Sequence, residues 1–143
     1  MRTMVKRVYD KPSGTDGMRV LVDRLWPRGL TKDAAALDAW LRDLAPSDEL
    51  RHWYHAYPDA WNLFRRRYLK ELTAPQASEQ LQELYRMAGL RKRLTLLYAS
   101  KNKERNNAIV LRDLLNGMKK PPTGTGPAVA ASSRLRKAAR RPG

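Results

Sequence analysis

Met18-Arg19-Val20-Leu21-Val22-Asp23-Arg24-Leu25-Trp26-Pro27-Arg28-Gly29 is the stretch that decides the fold class. Its centre, Val20-Leu21-Val22, is an unbroken aliphatic run, the pattern of a strand covered on both faces rather than one with a wet face. Such a strand belongs inside a parallel sheet. Pro27 cannot donate to a ladder and Gly29 allows a sharp turn, so Pro27-Arg28-Gly29 stops it. Upstream, Val5 to Tyr9 is a second short β-prone stretch, followed by a segment from Asp10 to Gly17 dense in turn formers. Downstream, Leu94 to Ala99 reads as a third strand.

Between the second and third strands the periodicity becomes helical. Thr31 is placed to cap a helix in which Leu37, Trp40, Leu41 and Leu44 fall at i, i+3, i+4 and i+7, and Pro46 ends it. Ser47 caps a second helix with Asp48 and Glu49 in its first turn and Leu50, Trp53, Tyr54 and Tyr57 on its inward stripe. Pro58 suits the first position of a third, whose stripe is Trp61, Phe64, Tyr68 and Leu72. A fourth carries Ala77, Leu81, Leu84, Tyr85 and Ala88 inward and meets Gly89 as its C′ residue. Asn102 caps a fifth, with Ala108, Leu111 and Leu115 on one face and Gly117 as its end. The order predicts a single α/β domain, with a small, mainly parallel sheet of about three strands flanked by about five helices.

That domain is expected to span residues 1–117. From 118 to 143 the periodicity disappears, and Pro121-Pro122-Thr123-Gly124-Thr125-Gly126-Pro127 leads into a mixture of Ala, Ser, Arg and Lys with too little apolar surface to offset its ordering entropy. A disordered basic tail is the expectation. It holds Lys119, Lys120, Arg134, Arg136, Lys137, Arg140 and Arg141 and no acid, so it accounts for seven of the formal +15 charges. The remaining eight belong to the domain, and both halves favour anionic partners.

The absence of cysteine excludes disulfides, thiolate nucleophiles and cysteine-ligated metals. No apolar run reaches the roughly 18–20 residues of a membrane span, and Met1 to Arg7 lacks the apolar core of an export signal, which points to the cytoplasm and away from a membrane partner. His52 and His55 lie three apart with Glu49 three residues earlier, but two ordinary histidines account for that spacing and no metal site is predicted. There is no glycine-rich phosphate loop or nucleophile elbow, and no cofactor is implied.

In open α/β sheets ligands sit beyond the carboxyl ends of the strands. The second strand ends in Asp23, Arg24, Trp26 and Arg28, and the third in Tyr98, Ser100 and Lys101, with Asn106 following. If the two strands are parallel neighbours, these groups meet in one crevice. Arg24, Arg28 and Lys101 then supply positive charge, Tyr98 and Ser100 hydrogen bonds, and Asp23 a general base or an orienting carboxylate. The competing account is structural: Asp23 pairs with a neighbouring cation and Trp26 packs in the core. Arg65, Arg66 and Arg67 span nearly a helical turn and read as a solvated face or as a surface for an anionic partner. Trp40, Trp53, Trp61, Tyr68 and Tyr85 all lie on apolar stripes and are expected to pack.

Several blocks carry a resemblance. Lys6 to Asp10, Gly17 to Leu30 with its Val-Asp-Arg-Leu-Trp-Pro-Arg-Gly core, Ala45-Pro46-Ser47, Phe64 to Tyr68 and Thr95 to Ala99 together resemble the YeaO-like branch of the domain-of-unknown-function 488 family, over roughly residues 5–116. The resemblance implies an α/β domain and supplies no established activity. Some members are labelled transcriptional regulators, yet no helix-turn-helix pattern occurs here. Relatives usually read Trp-Phe-Gly-His-Asp-Pro where this chain has Trp53-Tyr54-His55-Ala56-Tyr57-Pro58, and His-Asn where it has Arg105-Asn106. Family chemistry that depends on those two histidines is therefore not expected of this chain, while Asp23, Arg24, Arg28 and Asn106 are kept. Two functions follow as expectations. One is binding of an anionic small ligand, such as a nucleotide or phosphorylated metabolite, at the strand ends, with or without catalysis. The other is nonspecific association with nucleic acid through the tail and the arginine helix.

Overall fold

The computed structural model describes residues 2–90 and 93–117, so the expectations for the tail and its seven cations lie outside the described residues. The chain runs β1 (Arg2–Arg7), β2 (Met18–Leu21), α1 (Lys32–Ala35), β3 (Ala39–Trp40), α2 (Asp48–Ala56), α3 (Trp61–Glu71), α4 (Pro75–Leu90), β4 (Arg93–Tyr98) and α5 (Asn107–Gly117). All strand pairs are parallel, in the order β1-β4-β2-β3. The last strand is thus inserted between the first two, and Val20 pairs with Leu96 on one side and Ala39 on the other. The α/β class and the parallel sheet follow the sequence pattern.

The fourth strand was not anticipated. Leu37, Trp40, Leu41 and Leu44 carry helical spacing, yet α1 stops at Ala35 because Ala36 takes a left-handed conformation, φ 49°. The chain then turns onto the sheet edge. Asp38 accepts a bond from the Arg19 amide (2.8 Å) and its own N–H donates to the Arg19 carbonyl (2.8 Å), which seats Ala39–Trp40 beside β2. Sheet pairing outweighs a helical pattern only about two turns long, since so short a helix is marginal by itself.

Alternation along β2 divides the core in two. Val20 and Val22 point with Leu94, Leu96 and Tyr98 into the main core, closed by Leu50, Phe64, Tyr68, Leu81, Leu84 and Leu111. Leu21, Val8 and Leu97 face the other way, under Trp26, Leu30 and Leu37 from the segment joining β2 to β3 and Trp40 of β3 itself. Burying both faces is what the unbroken aliphatic run demands.

Three helix ends differ from the sequence pattern, the first being α3, which begins at Trp61 after a turn through Pro58. Asn102 organises a turn, accepting from the Glu104 and Arg105 amides at 3.0 Å each, and the cap of α5 is Asn106, whose Oδ1 accepts from the Ile109 amide at 3.1 Å. Gly89 lies inside α4, with nothing within 4 Å of the place a Cβ would take. Gly89→Ala should therefore stabilise the domain by about 0.5 kcal/mol through the unfolded chain's lost freedom, seen as a small rise in thermal midpoint. A fall instead would show that this turn needs glycine.

Among the described residues no helix is long and apolar enough to cross a membrane.

Candidate functional site

The carboxyl ends of β1, β4 and β2 lie side by side, and the side chains singled out in the sequence divide around Ala99. On the β2 side, Asp23 is half-buried. Its Oδ2 accepts from the Ala99 amide (2.9 Å) and its Oδ1 from the Asn107 side-chain amide (3.2 Å), which also donates to the Val22 carbonyl (2.9 Å). The Trp40 indole N–H donates to the Asp23 carbonyl at 2.7 Å. One carboxylate thereby ties together the end of β2, the end of β4 and the start of α5. Burial pushes its carboxyl above the ordinary range, opposed by the Ala99 and Asn107 hydrogen bonds and by the charge of Arg51. Asn106 sits beside it, donating to the Asn102 carbonyl (2.8 Å) and in hydrogen-bond contact with Tyr98. The Tyr98 ring is buried in the main core, and burial followed by the charge of Asp10 pushes its hydroxyl upward, against Arg7 and Asn106.

On the β1 side, Arg7 reaches across the strand ends to donate to the carbonyls of Ala99 (2.9 Å) and Ser100 (3.0 Å). Its guanidinium lies 5.0 Å from the centroid of the Tyr9 ring, and the Tyr9 hydroxyl donates to the Arg28 carbonyl at 2.9 Å. This relay brings Arg28, Ser100 and Lys101 to one edge, with all three exposed. The Ser100 hydroxyl accepts from the Asn102 amide (3.1 Å).

Arg24 and Trp26 occupy different surroundings. The Arg24 guanidinium donates to the carbonyls of Ala45 (3.2 Å) and Pro46 (3.4 Å), holding the approach to α2. The Trp26 indole donates to the Leu30 carbonyl (2.6 Å) and packs edge-on against Trp40, with centroids 5.4 Å apart. Among the described residues the ion pairs are Lys6 and Arg19 with Asp16, Arg51 with Asp48, Arg86 with Glu83, and Arg112 with Asp113. Arg7, Arg28 and Lys101 belong to none of them.

A family model described as "Inactive DUF488-N3 subclade" matches residues 2–137. The chain belongs to this family. The match extends well past the 5–116 span over which the sequence blocks carry the resemblance. The uncharacterized protein YeaO of Escherichia coli K12 is 44% identical over 120 residues, covering 82% of this chain and all of that protein. The uncharacterized protein Rv3073c of Mycobacterium tuberculosis is 44% identical over 116 residues, covering 81% of this chain and 95% of its own length. The uncharacterized protein Mb3100c of Mycobacterium bovis matches with the same figures. No solved structure matches the chain.

The family's two expected histidine positions lie on segments joined by one hydrogen bond. Ala56 ends α2, Arg105 precedes α5, and the Tyr54 hydroxyl donates to the Arg105 carbonyl at 3.4 Å. His52 and His55 are exposed on α2, and among the described residues no group of three or more His, Asp or Glu side chains is arranged to hold a metal ion. Sequence reasoning missed Arg7 and Asn107. Arg7 carried a usable signal, since the rule about strand ends applies to β1 as much as to β2. Asn107 carried none, because its role depends on β2 and α5 meeting across 84 residues of sequence separation.

Proposed function

We propose that the carboxyl edge of the sheet binds a small anionic ligand, of the nucleotide or phosphorylated-metabolite type, as a binding module without turnover. One observation carries this reading: Arg7, Arg28 and Lys101 lie at the ends of β1 and β4 and, among the described residues, no carboxylate pairs with them, while Asp23 has both oxygens engaged by Ala99 and Asn107. Among the described residues neither Asp23 nor Asp10, whose charge acts on Tyr98 at the same edge, forms an ion pair with these cations. Asp23 positions the strand ends and α5, and Arg28 and Lys101 are the donors free to meet phosphate oxygens. The description of the family as inactive, together with Ala56 and Arg105 at the histidine positions, supports binding over catalysis.

The test is thermal-shift titration of the full chain with a panel of nucleoside monophosphates and sugar phosphates, repeated on an Arg28→Ala, Lys101→Ala double variant. Binding raises the midpoint by mass action. Loss of two charge-assisted contacts should weaken the responding ligand by about 100-fold, with the ligand-free midpoint little changed. A panel without any response, or equal affinity in the double variant, overturns the reading.

A further inference from the structure

Away from the sheet edge, α2 and α3 present a surface that the reading above does not use. The sequence pattern puts Trp53 and Tyr57 on an inward stripe; Trp53 packs against the core as expected, but Tyr57 faces outward. Trp53 is half-buried at the margin of the core and Tyr57 is 61% exposed. Both belong to a short ladder. The Arg67 guanidinium lies 4.4 Å from the centroid of the Trp53 ring, and the Trp53 and Tyr57 rings are 5.9 Å apart at an interplanar angle of 39°. The inner aromatics Tyr54, Trp61, Phe64 and Tyr68 form a separate stack on the core side, which leaves the Tyr57 ring outside it.

Cations outnumber acids around the ladder, where Asp48, Glu49 and Asp59 are the exposed acids of α2 and the α2–α3 turn. Arg65, Arg66, Arg67 and Lys70 are exposed on α3, and among the described residues none of them forms an ion pair. The one acid of α3, Glu71, is occupied by Ser47, accepting from its amide (2.8 Å) and its hydroxyl (2.6 Å). On α2 the charge of Asp48 is met by Arg51 at 3.3 Å.

We propose that this α2–α3 face binds single-stranded nucleic acid, with a base stacked on Tyr57 and the adjoining phosphates held by Arg67 and its neighbours on α3. An exposed ring offers a partner for the face of a base, and base faces are open in a single strand and hidden in a duplex. Arg67 is positioned by the Trp53 ring beneath it, which limits the freedom it must lose on meeting a phosphate. The proposal is independent of the sheet-edge site.

The experiment measures binding of the full chain to a fluorescent oligothymidylate and to a duplex of equal length by anisotropy, for the parent and for Tyr57→Ala. Tyr57 makes its helix-ending contacts through its backbone N–H, to the Trp53 and Tyr54 carbonyls, so the substitution leaves that hydrogen bonding in place. Tyr57→Ala should weaken the oligothymidylate about 5- to 100-fold and the duplex by less than about 2-fold. Tyr57→Phe, which keeps the ring, should restore single-strand affinity. An oligothymidylate affinity unchanged in Tyr57→Ala, an equal loss on both nucleic acids, or no binding near physiological salt would each overturn the proposal.

Discussion

Gly17→Ala is expected to abolish folding or come close to it. Gly17 joins the first turn to β2 at φ 67° and ψ −138°, a region that residues with a side chain hardly enter. The added Cβ would also lie 2.3 Å from the Arg93 carbonyl oxygen and 2.6 Å from the Arg93 Cβ. Those contacts can be relieved only by moving the start of β4, which pairs with both β1 and β2. Strain and displacement together should cost about 4 kcal/mol or more, against the roughly 5–15 kcal/mol that holds a domain of this kind together. Two other glycines separate the causes. Gly29 has φ 77° but open space, so Gly29→Ala should cost only about 1–2 kcal/mol of backbone strain. Gly14 has neither constraint, and Gly14→Ala should be close to neutral. Thermal and urea midpoints for the three variants should rank in that order. Gly17→Ala equal to Gly29→Ala would show that the approach to Arg93 carries no weight.

Asp16→Asn is expected to have the next largest effect. Asp16 and Arg19 are both buried, and the Arg19 guanidinium donates to Asp16 at 2.6 Å and to the Ala35 carbonyl at 2.8 Å. Lys6 adds a second pair at 3.1 Å, and the Ser13 amide donates at 2.9 Å. Removing the carboxylate charge leaves a buried guanidinium uncompensated, at a cost of about 3–5 kcal/mol. The pair also makes the fold sensitive to acid. Burial pushes the Asp16 carboxyl up, but the hydrogen bonds from Ser13, Lys6 and Arg19 and the charge of Lys6 outweigh it and leave it below its ordinary value. A folded value below the unfolded one means the folded state holds fewer protons on this group. Its stabilisation is present above about pH 4 and is lost as pH falls through the lowered folded value. The variant should therefore be less stable at neutral pH and lose less stability than the parent between about pH 5 and pH 3. Identical pH profiles for the two proteins would remove Asp16 from this role.

Much of this architecture was legible in the chain because it rests on local patterns. Val20-Leu21-Val22 announced an interior strand, and Ser47 capped α2 as its side chain suggests, accepting from the Leu50 amide at 3.1 Å. The misread elements are those in which local and distant forces disagree. Leu41 and Leu44 keep the core position that their spacing predicts, but Ala39–Trp40 pair with β2 instead of continuing a helix. Tyr57 shares a helical stripe with Leu50 and Trp53, yet the core closes at those two and leaves it exposed.

The candidate site was legible as a set of residues and not as an arrangement. Asp23, Arg28, Ser100 and Lys101 were found because strand ends in a parallel sheet face one edge. Nothing in the order of residues says that Arg24 turns toward Ala45 and Pro46, or that Asp23 is consumed by Ala99 and Asn107. Short-range chemistry, made of aliphatic runs, capping side chains and turn formers, determined by itself that this chain makes parallel strands and packs helices against them. Only the tertiary structure decided which cations stay free and which aromatics face solvent, because pairing and burial depend on neighbours that are distant in sequence.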